Sequence, residues 1–190
     1  MTSLPLYLNA SLRHIETRHA ADALMQRAGL AAAEWAAPLA GKMNRPILVL
    51  AGPGNNGGDA FAMARLLREQ FFEICLVFAG EVSRLPPDAA AACQGFIAGG
   101  GTISPSIPED IHWSLIVDGL FGIGLTRAPE GEAAQAIERI NAHPGPVVAI
   151  DLPSGLDAER GVAYAPCVRA QHTLTFLADK TGLLTADGPD

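Results

Sequence analysis

Two amides and a carboxylate crowd one glycine-rich stretch. In Gly52-Pro53-Gly54-Asn55-Asn56-Gly57-Gly58-Asp59 the chain presents Asn55, Asn56 and Asp59 within five residues. Two later turns also open on a carboxylate. Asp118 precedes Gly119-Leu120-Phe121-Gly122-Ile123-Gly124, and Asp151 precedes Leu152-Pro153-Ser154-Gly155-Leu156-Asp157. Carboxylate, amide and hydroxyl oxygens suit a hard cation or a proton transfer, and glycine-turn N–H groups suit a phosphate. Gly52, Gly54 and Gly57 satisfy G-x-G-x-x-G, a weak signal by itself. Spacers in a dinucleotide turn need only stay small, so the Asn pair and Asp59 exceed what that turn requires. A purely structural reading also exists: a tight turn in which Asn tolerates left-handed backbone and Asp59 caps the helix.

The elements that must hold these residues follow from periodicity. Residues 47–51 are a short apolar run of strand length, and residues 60–68 carry Phe61, Ala64 and Leu67 at helical spacing. The stretch is therefore strand, glycine turn, helix, where helix-start N–H groups can hold a phosphate. Upstream, residues 11–40 read as two helices, a packing or dimer-forming pair. Leu12, Ile15 and His19 share a face of the first. Asp22 is placed to cap the second, whose apolar face reads Leu24, Ala28, Ala31, Trp35 and Leu39. Gly29 inside that helix is costly unless a neighbour packs close.

Downstream, residues 73–79, 115–117, 146–150 and 173–177 read as buried strands. Helices start at Pro87-Asp88, closing at Gly99-Gly100-Gly101, and around Ala133, Ile137 and Ile140. Alternation of this kind predicts an α/β fold: a doubly wound, mostly parallel sheet in a Rossmann-like three-layer αβα sandwich with a helical N-terminus. Ligands bind at the strand C-terminal edge of such a sheet. That edge collects Asn55, Asn56, Asp59, Asp118, Asp151 and Ser154. Glu81 follows the second strand, where a ribose-binding carboxylate or a solvated loop acid would stand.

At 190 residues and 49% apolar composition, one domain over residues 1–190 is expected. The net charge of −7 and the absence of a basic block speak against nucleic acid. Cys75, Cys93 and Cys167 read as reduced thiols, and the five histidines show no zinc spacing. No signal-peptide pattern or bilayer-length apolar run is visible, so a soluble, cytoplasmic protein is expected. The ending Asp187-Gly188-Pro189-Asp190 reads as a turn-like tail.

Three segments, GNNGGD at 54–59, VDGLFGIG at 117–124 and DLPSGLDAERG at 151–161, resemble the NAD(P)H-hydrate epimerase family, the YjeF N-terminal domain. The likeness covers nearly the whole chain, including Thr175-Phe176 and Lys180-x-Gly182. It implies the substrates NADHX and NADPHX, reduced nicotinamide cofactors hydrated at C6, whose R and S epimers are interconverted. By motif position, Asn55, Asn56, Gly57, Gly58 and Asp59 correspond to substrate-contacting residues. Gly122, Ile123, Gly124, Leu125, Thr126, Arg127 and Ala128 correspond to the phosphate-holding loop, with Gly124 its expected point of close backbone approach. Asn56, Asp118 and Ser154 match potassium ligands, and Asp151 matches a substrate-contacting carboxylate that does the proton chemistry. Asp157 competes for that role but is better placed to stabilise its turn.

Ala60 and Ile123 depart from the family's usual Gly and Thr. The resemblance further implies an ADP- or ATP-dependent dehydratase, fused or separate, and leaves a homodimer open. Preference between NADHX and NADPHX is equally open, since Glu81 would repel a 2′-phosphate and Arg84 could receive one. Two other classes fit parts of the pattern. An ordinary Rossmann oxidoreductase would need no Asn pair, and a non-enzymatic scaffold of this fold would need no carboxylate at Asp151.

Overall fold

The computed structural model describes residues 5–41, 44–78 and 80–189. Its elements run β1 (Leu6–Tyr7), α1 (Asn9–Arg18), α2 (Leu24–Ala40), β2 (Ile47–Ala51), α3 (Asn55–Glu69), β3 (Ile74–Val77), α4 (Pro87–Ala98), β4 (Ile103–Ser104), β5 (Leu115–Gly119), α5 (Gly131–Asn141), β6 (Val147–Ile150), β7 (His172–Leu174) and β8 (Asp179–Lys180). Six strands form one parallel sheet in the order β4-β3-β2-β5-β6-β7. The chain winds outward from β2 to β4, then returns to begin again at β5. That reversal opens a crevice beyond the C-terminal ends of β2 and β5.

Alternate side chains of each strand face opposite layers. Ile47, Val49, Leu76, Leu115, Val117 and Ile150 pack under α2, α3 and α4. Leu48, Leu50, Ile116 and Val147 pack against Ile137 and Ile140 of α5, with Ile107 and Trp113 from the connection before β5. Both faces are covered, which is why the central strands carry almost continuous apolar sequence. The two edge strands β1 and β8 pair separately and in parallel, Leu6 with Asp179 and Tyr7 with Lys180.

Three local expectations are corrected. The buried face of α2 is Met25, Gly29, Ala32, Ala33, Ala36 and Ala40, about a quarter-turn from the face read off the larger apolar residues. Close helix approach decides this: a Cβ on Gly29 would stand 2.5 Å from Ala62 Cβ of α3. Only small residues fit that seam, and Trp35 and Leu39 pack at its flank. Asp22 does not cap α2, because its carboxylate pairs with His19 Nδ1 at 2.6 Å, and the cap position is Ala23 in left-handed conformation. The strand expected at 73–79 is described as Ile74–Val77, and Ala79 lies outside the described residues.

Filling the α2–α3 seam should therefore destabilise the domain. Gly29→Ala should lower stability by about 1–3 kcal/mol, the usual cost of overpacking. Adding Ala62→Gly should recover part of the loss. Urea unfolding of the three variants measures both effects.

Candidate active site

A large cavity of about 1380 Å³ lies at the crevice. The N-terminus of α3 points into it from the glycine turn. Gly54 occupies the cap position without a side-chain cap, so the first-turn N–H groups face the cavity mouth unclaimed by their own turn. The turn needs its glycines for packing. A Cβ on Gly52 would stand 1.7 Å from Leu120 O, and one on Gly57 1.9 Å from Gly52 O. Gly58 sits against Met25 and Ala89. Asp59 does not cap the helix; it lies in the first turns of α3 and lines the cavity with Asn55 and Asn56.

Asp118, at the end of β5, is fully buried and accepts three hydrogen bonds: from Leu120 N (3.1 Å), Ser154 N (2.7 Å) and Ser154 Oγ (2.7 Å). Burial pushes its pKa up to about 6, against the opposing pull of those donors. Ser154 Oγ in turn accepts from Phe121 N at 2.9 Å. Two of the expected cation ligands are thus in direct contact. The third, Asn56, is buried, and among the described residues neither its Oδ1 nor its Nδ2 has a partner. An unsatisfied buried amide costs about 1–3 kcal/mol, so a ligand is the natural partner for both atoms. Oδ1 is an oxygen of the kind a hard cation takes, whereas Nδ2 can serve only an acceptor.

Asp151 follows β6 in the left-handed region, φ 66°. A side chain there costs energy unless its surroundings enforce it. Two bonds do so: Asp151 N donates to Leu174 O at 2.7 Å, and Asp151 Oδ1 accepts from Lys180 Nζ. Lys180 is 2% exposed and also donates to Thr175 Oγ1 (2.6 Å) and Phe176 O (2.8 Å), so its three donors are spent. Sequence reading gave Lys180 no role. Its place in the chain, shortly after the last strand of the main sheet, gave no local sign of which acid it would meet. Asp157 instead holds its own turn, accepting from Glu159 N, Arg160 N and Tyr164 OH at 2.9 Å each.

The 122–128 loop lines the cavity from Gly122 to Arg127, whereas Ala128 does not. Among the described residues only Leu125 N of this loop has a protein acceptor, Gly122 O at 3.2 Å. Its other N–H groups are available to an anion. Within the protein, the glycine of this loop that a neighbouring side chain approaches closely is Gly122. A Cβ on Gly122 would meet Asp151 Oδ2 at 2.7 Å, whereas one on Gly124 meets nothing within 4 Å. Gly57, Gly58, Asp118 and Ser154 lie behind the cavity wall. Glu81 and Arg84 pair with each other at 2.8 Å away from the cavity lining, so neither stands where a ribose or 2′-phosphate in this cavity would meet it.

Gly122→Ala should displace the Asp151 carboxylate and lower the thermal midpoint. A cost of about 1–3 kcal/mol corresponds to roughly 2–4 °C per kcal/mol at this size. Gly124→Ala should leave both unchanged. Crystal structures and thermal melts of the two variants check this.

Comparison with known proteins gives the family. Residues 21–182 match the family described as YjeF-related protein N-terminus. The NAD(P)H-hydrate epimerase of Bordetella pertussis is 43% identical over 159 residues, 82% of this chain and 69% of the relative. The bifunctional NAD(P)H-hydrate repair enzyme Nnr of Escherichia coli is 44% identical over 75% of this chain, which spans 28% of that enzyme. The bifunctional repair enzyme of Leishmania braziliensis is 43% identical over 88% of this chain, which spans 30% of it. The crystal structure of yeast ynu0 superposes with a TM-score of 0.81 over 94% of this chain and 83% of that chain, at 20% identity, and shows the fold alone. The chain belongs to the family of YjeF-related protein N-termini, alongside the NAD(P)H-hydrate epimerases.

Proposed function

We propose that this chain interconverts the R and S epimers of hydrated NADH and NADPH as a step of nicotinamide cofactor repair. The observation that carries the reading is Asp151, a carboxylate held by Lys180 in the wall of a cavity that also receives the α3 N-terminus. Around C6 of the hydrated ring, the hydroxyl and the ring nitrogen share one carbon. Nitrogen can push the hydroxyl out to leave an iminium, or the ring C–N bond can open. Either route flattens C6, and each needs a proton delivered on departure and removed on return. Asp151 is positioned for that work, and Lys180 orients it.

The dinucleotide's phosphates are assigned to the 122–128 loop and the α3 N-terminus, where backbone donors and the helix dipole favour anions. Asn55 and Asp59 flank the bound cofactor. Asn56, Asp118 and Ser154 would hold a potassium ion, which when bound supplies fixed positive charge close to the substrate. The S epimer would pass to an ADP- or ATP-dependent dehydratase, a fused domain or a separate partner, in the cytoplasm. A second copy of the chain on the N-terminal helices is compatible with this scheme. An intact-cofactor oxidoreductase has less support, because the glycine turn carries Asn56 as a partnerless amide.

Conversion of purified R epimer to S epimer should run well above the enzyme-free rate. Asp151→Asn should retain the fold by circular dichroism and lose about 10²–10⁴ of that rate, the usual worth of positioned proton transfer. Near-wild-type turnover in this variant would move the proton chemistry elsewhere. Potassium gives a separate check. Raising potassium at constant ionic strength against choline should raise the thermal midpoint of the wild type, by the linkage of a ligand to the folded state, and not that of Asp118→Asn.

A further inference from the structure

The N-terminal arm is built into the cavity wall. β1 pairs with β8, the strand that carries Lys180. At the start of α1, Asn9 N donates to Glu159 Oε1 (2.9 Å), and Asn9 Nδ2 donates to Ile123 O (3.2 Å) in the 122–128 loop. Leu12, one turn on, is 1% exposed. Positions 9, 12 and 16 share one face of a helix. The residue that this anchored face brings to the cavity next is Glu16, half-buried and lining the same space as Asp59, Asp151 and Lys180. Glu16 precedes residue 21, where the family match begins.

An epimerase that breaks and remakes one bond must serve both faces of a planar carbon. Asp151 issues from the end of β6 and Glu16 from the arm. Both line the same cavity, which they reach from different elements. Resting on the epimerase reading, we infer that Glu16 is the second proton-handling carboxyl of the reaction, serving the face of C6 opposite Asp151. The step balances as follows. The Glu16 carboxyl gives its proton to the C6 hydroxyl, and the C6–O bond breaks with its electron pair leaving on water. The nitrogen lone pair becomes the second bond of the C6=N iminium. Water then adds to the other face, its oxygen pair forming the new C6–O bond while the C=N pair returns to nitrogen. Asp151 takes the proton that this water sheds. Glu16 ends ionised and Asp151 protonated; solvent exchange resets the pair, or the next turnover runs in the opposite sense.

Charge placement supports this division. The Lys180 ammonium pairs with the Asp151 carboxylate. Glu16 is raised above the ordinary glutamate value by burial and by Asp151, with Lys180 and Arg13 pulling it back. A carboxyl raised in this direction is better suited to deliver a proton than an ordinary glutamate. Asp59 is the rival carboxyl. Burial, Asp151 and Glu16 raise it well above the ordinary aspartate value, and it issues from α3 rather than from the arm, so the test carries a variant of each.

The test measures epimerisation in both directions across pH in the full chain, with wild type, Glu16→Gln, Glu16→Asp and Asp59→Asn. We expect Glu16→Gln to lose about 10²–10⁴ in kcat with little change in KM. It should also lose the alkaline limb of the pH profile, where activity falls in the wild type as Glu16 ionises. Glu16→Asp should regain part of the rate together with that limb. In isotopic water the wild-type product should carry solvent oxygen at C6. Wild-type kcat and an unchanged pH profile in Glu16→Gln would overturn the inference, as would loss of rate and limb in Asp59→Asn alone. Either result leaves the epimerase reading standing. A wild-type chain no faster than the enzyme-free reaction would overturn both.

Discussion

The ammonium of Lys180 is the charge around which the site is assembled. An ion taken out of water must find partners, since removing one member of a buried pair costs about 3–5 kcal/mol. Lys180 finds three, in Asp151, Thr175 and Phe176 O. They come from the end of β6 and from the segment beyond β7, while Lys180 itself lies in β8. One side chain thus joins the last two strands of the main sheet to the small β1–β8 sheet. The left-handed backbone of Asp151 depends on the same junction, with Leu174 O holding its N–H and Lys180 its carboxylate.

Topology determines what else can reach that junction. Because β2 and β5 are neighbours although two βα units separate them, the glycine turn after β2 and the loop after β5 meet over one crevice. The contact is tight to the limit of backbone volume: Gly52 lies against Leu120 O and Gly57 against Gly52 O. Asp118 and Ser154 close behind the turn as a hydrogen-bonded pair, and Asn56 is left with an unsatisfied amide.

The N-terminal arm extends this logic beyond the three-layer core. α1 has no side-chain cap, and isolated helices of 10 residues are marginal in water. Its position comes from Leu12 and from Asn9, which is tied to both the 122–128 loop and Glu159. The arm, the 122–128 loop and the β8 strand of Lys180 are therefore joined, and Glu16, Asp59 and Asp151 line one cavity from α1, α3 and the end of β6.

By itself the sequence determined the layered sheet and the rim. Strands buried on both faces carry uninterrupted apolar residues, and a parallel sheet puts all strand C-terminal ends on one edge, so Asn55, Asn56, Asp59, Asp118, Asp151 and Ser154 had to lie along it. Only the tertiary structure decided which atoms touch. Periodicity marks apolar positions but not the width of the gap they face, so the α2 seam of Gly29 and Ala32 stayed hidden behind Trp35 and Leu39. Asp22 looked like a cap because capping is local, yet His19 claimed it. The loop's own sequence did not show that Gly122 meets Asp151, a residue 29 positions away. Two-residue strands such as β1 and β8 have no period to detect. For the same reason Lys180 and Glu16, distant in the chain and joined to the site only by long-range pairing, had no local signal of where they would be placed.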